Sequence, residues 1–539
     1  MTIRNSKPII LFVKKHLLHW SLWTILLLEC VYIFLILLNY DLTWVNPEKF
    51  WTHAWILENG SRLHWQDISR SFNINVIEMN PDRLSRPISN FVEVIDTKFR
   101  ANCWQFMPPH PSLSLLWPVL FIALPVFLYK FLINMGCEFP IALSGVCLYL
   151  SSIGFLGPII MLFHPAKGLV NFMAVLSLWA GSWLYKKTSS FEKKCSAKDI
   201  PHFWKHFLLL LGVMFLGFFC DETGLFMYLV VGVVLYPVFK KVKEKGVLLA
   251  GYLVLPVLYF ISLRGVLPYV HLIINGHAVN VSHYESYPHL HTLFFPNVHN
   301  LLTNLCWLFS DYPHLMLSFR NVISSGPYFF LQLAYSLIFA LIVFLFLKKN
   351  HSSPGDSWVK KVGLFSGVLI AYGFFQTFQL SANAFVWGVW WYGSLFSLVY
   401  FIAFSFVLQK VWSDQNKTFQ KFFVLIIFIF VLEGLIFTTY RINIFKIQNH
   451  DRNNYPYREI FNGNINPYIH FNFSESLTKA QCKQIYTTLQ WASLKHRAQP
   501  RINLSQITQC QEIMKNDIYF PIQMLYLPVE LQPKGDKKD

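Results

Sequence analysis

Long apolar runs alternate with short polar segments along most of the chain. A helix that crosses a hydrocarbon core needs about 20 apolar residues, and a hydropathy window of that size finds about eleven such runs. They lie near 17–39, 113–134, 141–163, 168–185, 203–219, 224–239, 247–263, 327–347, 362–379, 390–409 and 422–439. The pattern predicts an all-α polytopic membrane protein with about 11 transmembrane helices. The first run is too long for a signal peptide, so we expect it to be an anchor.

Three polar segments are too long to be simple turns between helices. The pattern predicts a transmembrane body over 1–440, with outer loops at 40–112 and 264–326, followed by an extracytoplasmic C-terminal domain over 441–539. The C-terminal segment contains Cys482 and Cys510. An outer compartment would permit a disulfide between them, and the sequence leaves open whether they pair.

Composition and charge support a membrane location rather than a nucleic-acid partner. The chain is 54% hydrophobic and 14% charged, with a mean hydropathy of +0.40 and a formal net charge of +17. Its lysines are concentrated in alternate connections, at 186–198, 240–245, 348–361 and 410–421. This positive-inside bias predicts a cytoplasmic N-terminus and an extracytoplasmic C-terminus. The positive charge therefore indicates contact with anionic membrane lipids and no nucleic-acid binding.

Asp41 directly follows the first apolar run, at the depth where a helix leaves the membrane. Partial desolvation raises the pKa of a carboxyl group toward the range of a general base. The alternative is a carboxylate that only caps the helix exit.

Arg83 and Arg86 lie in the first polar loop, ahead of the second apolar run. Arginine binds phosphate through paired hydrogen bonds, so these residues are candidates for contact with a lipid phosphate. The alternative is an ordinary ion pair within the loop, for example between Arg86 and Glu93 or Asp96.

Asp221 and Glu222 form an acidic pair in a turn between the fifth and sixth apolar runs. Adjacent acids between apolar helices are costly unless they are solvated, paired or lining a cavity, and the sequence favours neither a site nor a solvated turn. Glu433 and Gln376 fall within apolar runs, and we expect them to be structural. The histidines of the second loop lack metal-ligand spacing, so no metal site is predicted.

The order of these motifs resembles the GT-C superfamily of polytopic glycosyltransferases, and within it the protein O-mannosyltransferases and their bacterial relatives. The motifs that carry the resemblance are Asn39-Tyr40-Asp41, Arg86-Pro87-Ile88, His164-Pro165, Asp221-Glu222-Thr223 and Trp390-Trp391-Tyr392. The chain departs from the family pattern at Leu42 and Leu169, where acids are usual, and at Asp221, where a lysine is usual. It also lacks the arginine before the late tyrosine. The resemblance covers roughly residues 17–410 as an order of motifs, each weak by itself.

The resemblance implies transfer of a sugar from a polyprenyl-phosphate donor to a glycan, lipid or protein acceptor outside the cytosol. It implies Asp41 as the general base and Glu222 as a group that orients the acceptor or holds a cationic partner. Arg86 and then Arg83 would bind the donor phosphate, while Asp221, His164 and Tyr392 would line the site. No cofactor is required beyond the donor, and dependence on a divalent metal stays open. A bacterial inner membrane is favoured over the endoplasmic reticulum.

Two other functional classes compete with the enzyme. The missing family residues favour a non-catalytic membrane scaffold or assembly protein. A transporter would need polar groups at membrane depth and an internal repeat, and no repeat is evident. The classes differ in geometry, because Asp41, Arg86 and Glu222 should converge in an enzyme and lie apart in a scaffold.

Overall fold

Nearly all of the described chain is helical. The computed structural model describes residues 6–39, 62–71, 86–106, 114–152, 154–156, 165–221, 223–275, 298, 334, 337–338, 340–348, 357–379, 394–413 and 417–449, and no strand occurs among them. The main α-helices of these ranges are α1 Ser6–Asn39, α2 Trp65–Ser71, α3 Pro87–Phe106, α4 Leu124–Asn134, α5 Phe139–Leu150, α6 Pro165–Ser189, α7 Phe203–Phe218, α8 Gly224–Lys241, α9 Lys245–Ile261, α10 Leu267–Asn275, α11 Ser357–Gln379, α12 Ser394–Ser413 and α13 Lys417–Asn449. Short π-helical turns, Pro118–Ala123 and Ser262–Val266, lead into α4 and α10.

Four of these helices are long and apolar enough to cross a membrane. The candidate spans are Leu18–Leu35, Gly168–Ser189, Gly224–Lys241 and Ser394–Ser413. Each matches one of the predicted apolar runs. Shorter apolar helices match other runs, for example Phe203–Phe218 and Lys245–Ile261. The structure therefore supports a helical membrane protein, while the total of about 11 spans and the loop layout stay predictions.

The bundle packs around two helices. Helix α6 contacts α4, α7 and α8, while α12 contacts α11 and α5. The span in α12 is 89% buried, whereas the one in α1 is only 22% buried and exposes Trp20, Leu27 and Phe34. A helix that is apolar on every side can be enclosed by other helices or face lipid, so sequence alone does not separate α12 from α1.

Helix α5 is shorter than the apolar run at 141–163. It ends at Leu150, where two serine hydroxyls turn back onto the helix: Ser151 Oγ donates to Leu148 O at 3.1 Å and Ser152 Oγ to Tyr149 O at 2.6 Å. Both hydroxyls bond carbonyls of the last helical turn, where carbonyl groups lack helical partners. Because serines are small and fit an apolar run, a hydropathy window does not register this end.

The first polar loop contains a 20-residue helix, α3, which the apolar pattern did not predict. Pro87 is its first residue, a position that proline favours because it lacks the N–H that would have no partner there. Arg86 directly precedes it. Its buried residues Ser89, Glu93, Asp96 and Thr97 follow helical spacing, so one face packs although its composition is polar.

Contacts divide the chain into two compact units. The larger comprises Met1–Tyr40, His64–Asp96 and Ser112–Arg441. The second comprises Asp41–Leu63, Thr97–Pro111 and Ile442–Asp539, and its described part is essentially the C-terminal ends of α3 and α13. The predicted division at 440 falls within α13 and stays a prediction. Most of the second loop and of the C-terminal domain, including Cys482 and Cys510, lies outside the described residues.

Candidate functional site

The buried residue Asp221 lies between α7 and α8. We call residues 219–221 and 223 the Asp221 turn. The Asp221 side chain is 0% exposed, and its Oδ1 accepts hydrogen bonds from Thr223 N at 3.0 Å and from Thr223 Oγ1 at 2.6 Å. Its carbonyl accepts from Gly224 N at 2.8 Å. Asp221 therefore satisfies donors at the start of α8, where a negative charge is also favourable to the helix dipole.

Glycine makes the approach of α7 and α8 at this turn possible. A Cβ atom on Gly224 would lie 2.5 Å from Gly217 O and 3.2 Å from Phe218 Cα. Both contacts are with backbone, which cannot move aside as a flexible side chain can. The two helices are thus held close at the Asp221 turn by a position that accepts no side chain.

Helix α3 docks on the Asp221 turn through its first residues. Ile88 N donates to Phe219 O at 3.2 Å, and Ser89 Oγ donates to Cys220 O. Two carbonyls of the turn are therefore bonded by α3. Because Ser89 is only 3% exposed, these bonds are sheltered from water, where losing a partner is costly.

Arg86 and Asp221 form an ion pair at this junction. Arg86 Nε lies 3.3 Å from Asp221 Oδ2, and the side chains are 17% and 0% exposed. A buried carboxylate needs a partner charge and hydrogen bonds, and this one has both. The pair joins residues 135 positions apart and fixes the start of α3 to the end of α7.

Tyr372 links the junction to a cluster of aromatic side chains from three helices. Tyr372 of α11 is within electrostatic reach of Asp221, and its ring centroid lies 4.0 Å from that of Phe226 in α8 and 6.1 Å from that of Phe396 in α12. Burial, with a smaller contribution from Asp221, raises the pKa of the Cys220 thiol to about 12. The junction is therefore a charged pair against a largely apolar wall.

A second carboxylate secures α3 further along the helix. Asp96 Oδ1 accepts from Ser114 Oγ at 2.8 Å and from Leu115 N at 2.7 Å, at the start of the helical segment that leads into α4. Asp96 thus ties α3 to the next predicted span, while Arg86 pairs with a distant turn. The Arg86–Asp221 ion pair joins the first polar loop to a distant turn, whereas the alternative prediction paired Arg86 with a residue of the same loop.

The structure brings together two of the seven predicted site residues, Arg86 and Asp221. The other five, Asp41, Arg83, His164, Glu222 and Tyr392, lie outside the described residues, so their convergence stays a prediction. Within the described ranges, no group of three or more metal-ligating side chains occurs.

One buried carboxyl group was missed by the sequence reasoning. Glu29 of α1 is 1% exposed, neither of its oxygens has a nitrogen or oxygen hydrogen-bond partner, and it interacts with the Cys147 thiol of α5. Glu433 of α13, expected to be structural, is 2% exposed. An acid inside the apolar run 17–39 was the available signal, because such groups are rare at membrane depth.

The fold and composition define a helical membrane protein with a buried ion pair at one end of its bundle. The chain matches no known protein-family model, and no curated protein or solved structure matches it either.

Proposed function

We propose that the protein is a membrane glycosyltransferase that moves a sugar from a polyprenyl-phosphate donor to an extracytoplasmic acceptor. The observation that carries the proposal is the Arg86–Asp221 pair, because two motifs of the GT-C-like order, 135 residues apart, meet at 3.3 Å. On this proposal the N-terminus is cytoplasmic, the Asp221 turn faces outward, and a bacterial inner membrane is the favoured location.

In this proposal Arg86 stabilises the leaving phosphate. Its Nε faces Asp221, and a guanidinium group has further N–H donors on its two terminal nitrogens. Asp221 would fix the plane of the guanidinium group before the donor lipid arrives. Electrostatic groups that are oriented in advance contribute strongly to catalysis because no reorganisation is needed during reaction.

The reaction is a nucleophilic substitution at the anomeric carbon. The acceptor oxygen forms a bond to that carbon, and the bond from the carbon to the phosphate oxygen breaks. Polyprenyl phosphate leaves with the electron pair, and the acceptor proton passes to Asp41. Glu222 would orient the acceptor, Arg83 would add positive charge, and His164 and Tyr392 would line the sugar site.

A transfer assay tests the proposal. The purified protein, reconstituted with radiolabelled sugars on polyprenyl phosphate and with candidate glycan, lipid and protein acceptors, should transfer label. Asp41→Asn should lower the rate roughly 10²- to 10⁴-fold, which is the usual contribution of a general base. Arg86→Lys should weaken binding of polyprenyl phosphate, because lysine lacks the planar fork of donors.

Asp199→Asn is the matched control, since it removes an exposed carboxylate at the opposite end of α7. It should leave transfer unchanged. Absence of transfer from every donor, together with no binding of polyprenyl phosphate, would overturn the enzyme proposal.

A non-catalytic scaffold is the second candidate function, and the same ion pair favours it. Arg86 is already partnered by Asp221, and two hydrogen bonds from Ile88 and Ser89 fix α3 in place. Such a set of contacts also serves a purely structural joint. In that case polyprenyl phosphate would not bind, and Arg86→Lys would change stability alone.

A further inference from the structure

Two separate connections join into one ordered unit at the other end of the bundle. Cys195 N donates to Lys241 O at 3.1 Å, and Lys243 N donates to Cys195 O at 3.0 Å, which forms a parallel bridge between Cys195 and Val242. Lys241 Nζ adds a bond to Phe191 O at 2.8 Å. The connection from α6 to α7 and the one from α8 to α9 are therefore fastened together.

A carboxylate completes this unit. Glu244 Oε2 accepts from Ala197 N at 2.8 Å, and Glu244 Oε1 accepts from the Ser196 hydroxyl. Asp199 closes a capping box with Ser196 by accepting from its N–H at 2.8 Å. Two of the acidic groups of these connections are thus used internally to hold the backbone.

The ordered unit displays a dense positive charge. We call residues 186–205 and 240–245 the basic platform. These stretches hold ten lysines and three acids, a formal charge of +7. The lysines with exposed side chains are Lys186, Lys187, Lys193, Lys194, Lys198, Lys205, Lys240, Lys243 and Lys245. Because nine of the ten lysines have exposed side chains, most of the positive charge faces outward.

In α6 and in α8, an aromatic residue lies one helical turn before a lysine of the platform. In α8, Lys240 Nζ lies 4.3 Å from the ring centroid of Tyr236, which is 52% exposed. In α6, Lys187 Nζ lies 5.8 Å from the ring of Trp183, and that ring stacks on His206 at a centroid distance of 3.6 Å. An aromatic ring followed by a lysine is typical of the level where a helix meets lipid headgroups.

The platform lies at the ends of two candidate membrane spans. The spans Gly168–Ser189 and Gly224–Lys241 both end in it, and the apolar helices α7 and α9 begin from it. Four apolar helices therefore meet the platform at the same end of the bundle. The lysines are held there by a folded unit, unlike the separate charges of an unstructured basic loop.

We propose that the basic platform is a binding site for the headgroups of anionic phospholipids in the leaflet that it faces. The charge is complementary, the exposed lysines surround the ends of membrane helices, and the aromatic residues match the headgroup level. The inference is independent of the glycosyltransferase proposal, because it concerns the opposite end of the bundle from the Asp221 turn.

A lipid-binding titration tests this inference. Purified, delipidated full-length protein in neutral detergent is titrated with phosphatidylglycerol or with phosphatidylcholine of the same acyl chains, and bound lipid is counted by native mass spectrometry. We expect binding of phosphatidylglycerol to exceed that of phosphatidylcholine and to weaken as salt increases, because screening acts on exposed charges. Equal binding of the two lipids would overturn the inference.

Paired charge variants locate the site. Lys193→Gln with Lys194→Gln should weaken binding of phosphatidylglycerol roughly tenfold, since each surface lysine contributes a few-fold to attraction by anionic lipid. The matched control is Lys348→Gln with Lys360→Gln, which removes the same charge from two exposed lysines outside the platform. Equal losses in the two double variants would show that net charge, rather than the platform, attracts the lipid, and would overturn the assignment. Lys241 is left intact because its ammonium group holds Phe191 O.

Discussion

The helix pair α7 and α8 is fastened at both of its ends by a carboxylate, but the two carboxylates work in different surroundings. At the Asp221 turn, Asp221 is fully buried and pairs with a cation from a distant helix. At the basic platform, Glu244 is half-buried and accepts hydrogen bonds from Ser196 and Ala197 without a pairing of that kind in the described contacts. Because Asp221 is buried, removing its partner should cost much stability. Because water reaches Glu244, replacing it should cost little.

The difference separates two uses of charge in a membrane protein. A buried pair contributes little net stability when intact but a large penalty when one partner is removed. A partly solvated carboxylate contributes modestly and can be replaced by water. The Asp221 turn is therefore suited to fixing a geometry, and the platform is suited to presenting charge to a surface.

The largest expected effect is that of Arg86→Ala. It leaves the Asp221 carboxylate buried without this cation, and we expect a loss of about 3 kcal/mol in the free energy of unfolding. Denaturant unfolding in detergent micelles measures the change. The double variant Arg86→Ala with Asp221→Ala should recover part of this loss, because no buried charge remains. A double variant that loses the sum of both single effects would contradict coupling between the two side chains.

Gly224→Ala should come next. Its Cβ would lie 2.5 Å from the Gly217 carbonyl oxygen, so α7 and α8 must separate, at a cost of roughly 1–3 kcal/mol. Gly212→Ala is the matched control within α7, since nothing lies within 4 Å of a Cβ there. That variant should be neutral or stabilising by up to about 1 kcal/mol, from helix propensity. Thermal unfolding of both variants under identical conditions compares them, and similar melting temperatures would contradict a tight turn.

The smallest effect is expected for Glu244→Gln, about 1 kcal/mol, because glutamine keeps one neutral acceptor oxygen but loses the charged second one. Hydrogen bonds from the Ser196 hydroxyl and from Ala197 N–H lower the pKa of the Glu244 carboxyl below its usual value. The stability that Glu244 contributes is therefore present above its unfolded pKa and is lost as pH falls through the lower, folded pKa. Unfolding measured across the acidic range should show this loss in the wild type, and the difference from Glu244→Gln should vanish at the lowest pH. A pH-independent difference would contradict this role.

The apolar pattern predicted much of the bundle because it records a local property. The runs at 17–39, 168–185, 224–239 and 390–409 all became helices long enough to cross a membrane. The pattern gave wrong or missing helix bounds where the polarity of a segment does not match its burial or its helical length. Helix α3 has a polar composition, yet its first residues are buried where they meet the Asp221 turn, and α5 ends at Leu150, inside the apolar run 141–163.

The candidate site was predictable only as a set of residues. Arg86 and Asp221 were both singled out from the sequence, but the loop-internal partners considered for Arg86 were Glu93 and Asp96. In the structure Arg86 pairs with Asp221, and Asp96 accepts hydrogen bonds from Ser114 and Leu115. Glu29 was overlooked because a hydropathy average hides a single acid within a long apolar run.

The sequence by itself determined the helical membrane class and the segregation of lysines. Both follow from how each short segment partitions between water and lipid, which is a local matter. Only the tertiary structure decided that Arg86 meets Asp221 and that the connections after α6 and α8 form one platform. Those contacts depend on the distance between segments far apart in the chain, and the free energy of pairing buried charges and backbone groups selects them after the helices exist.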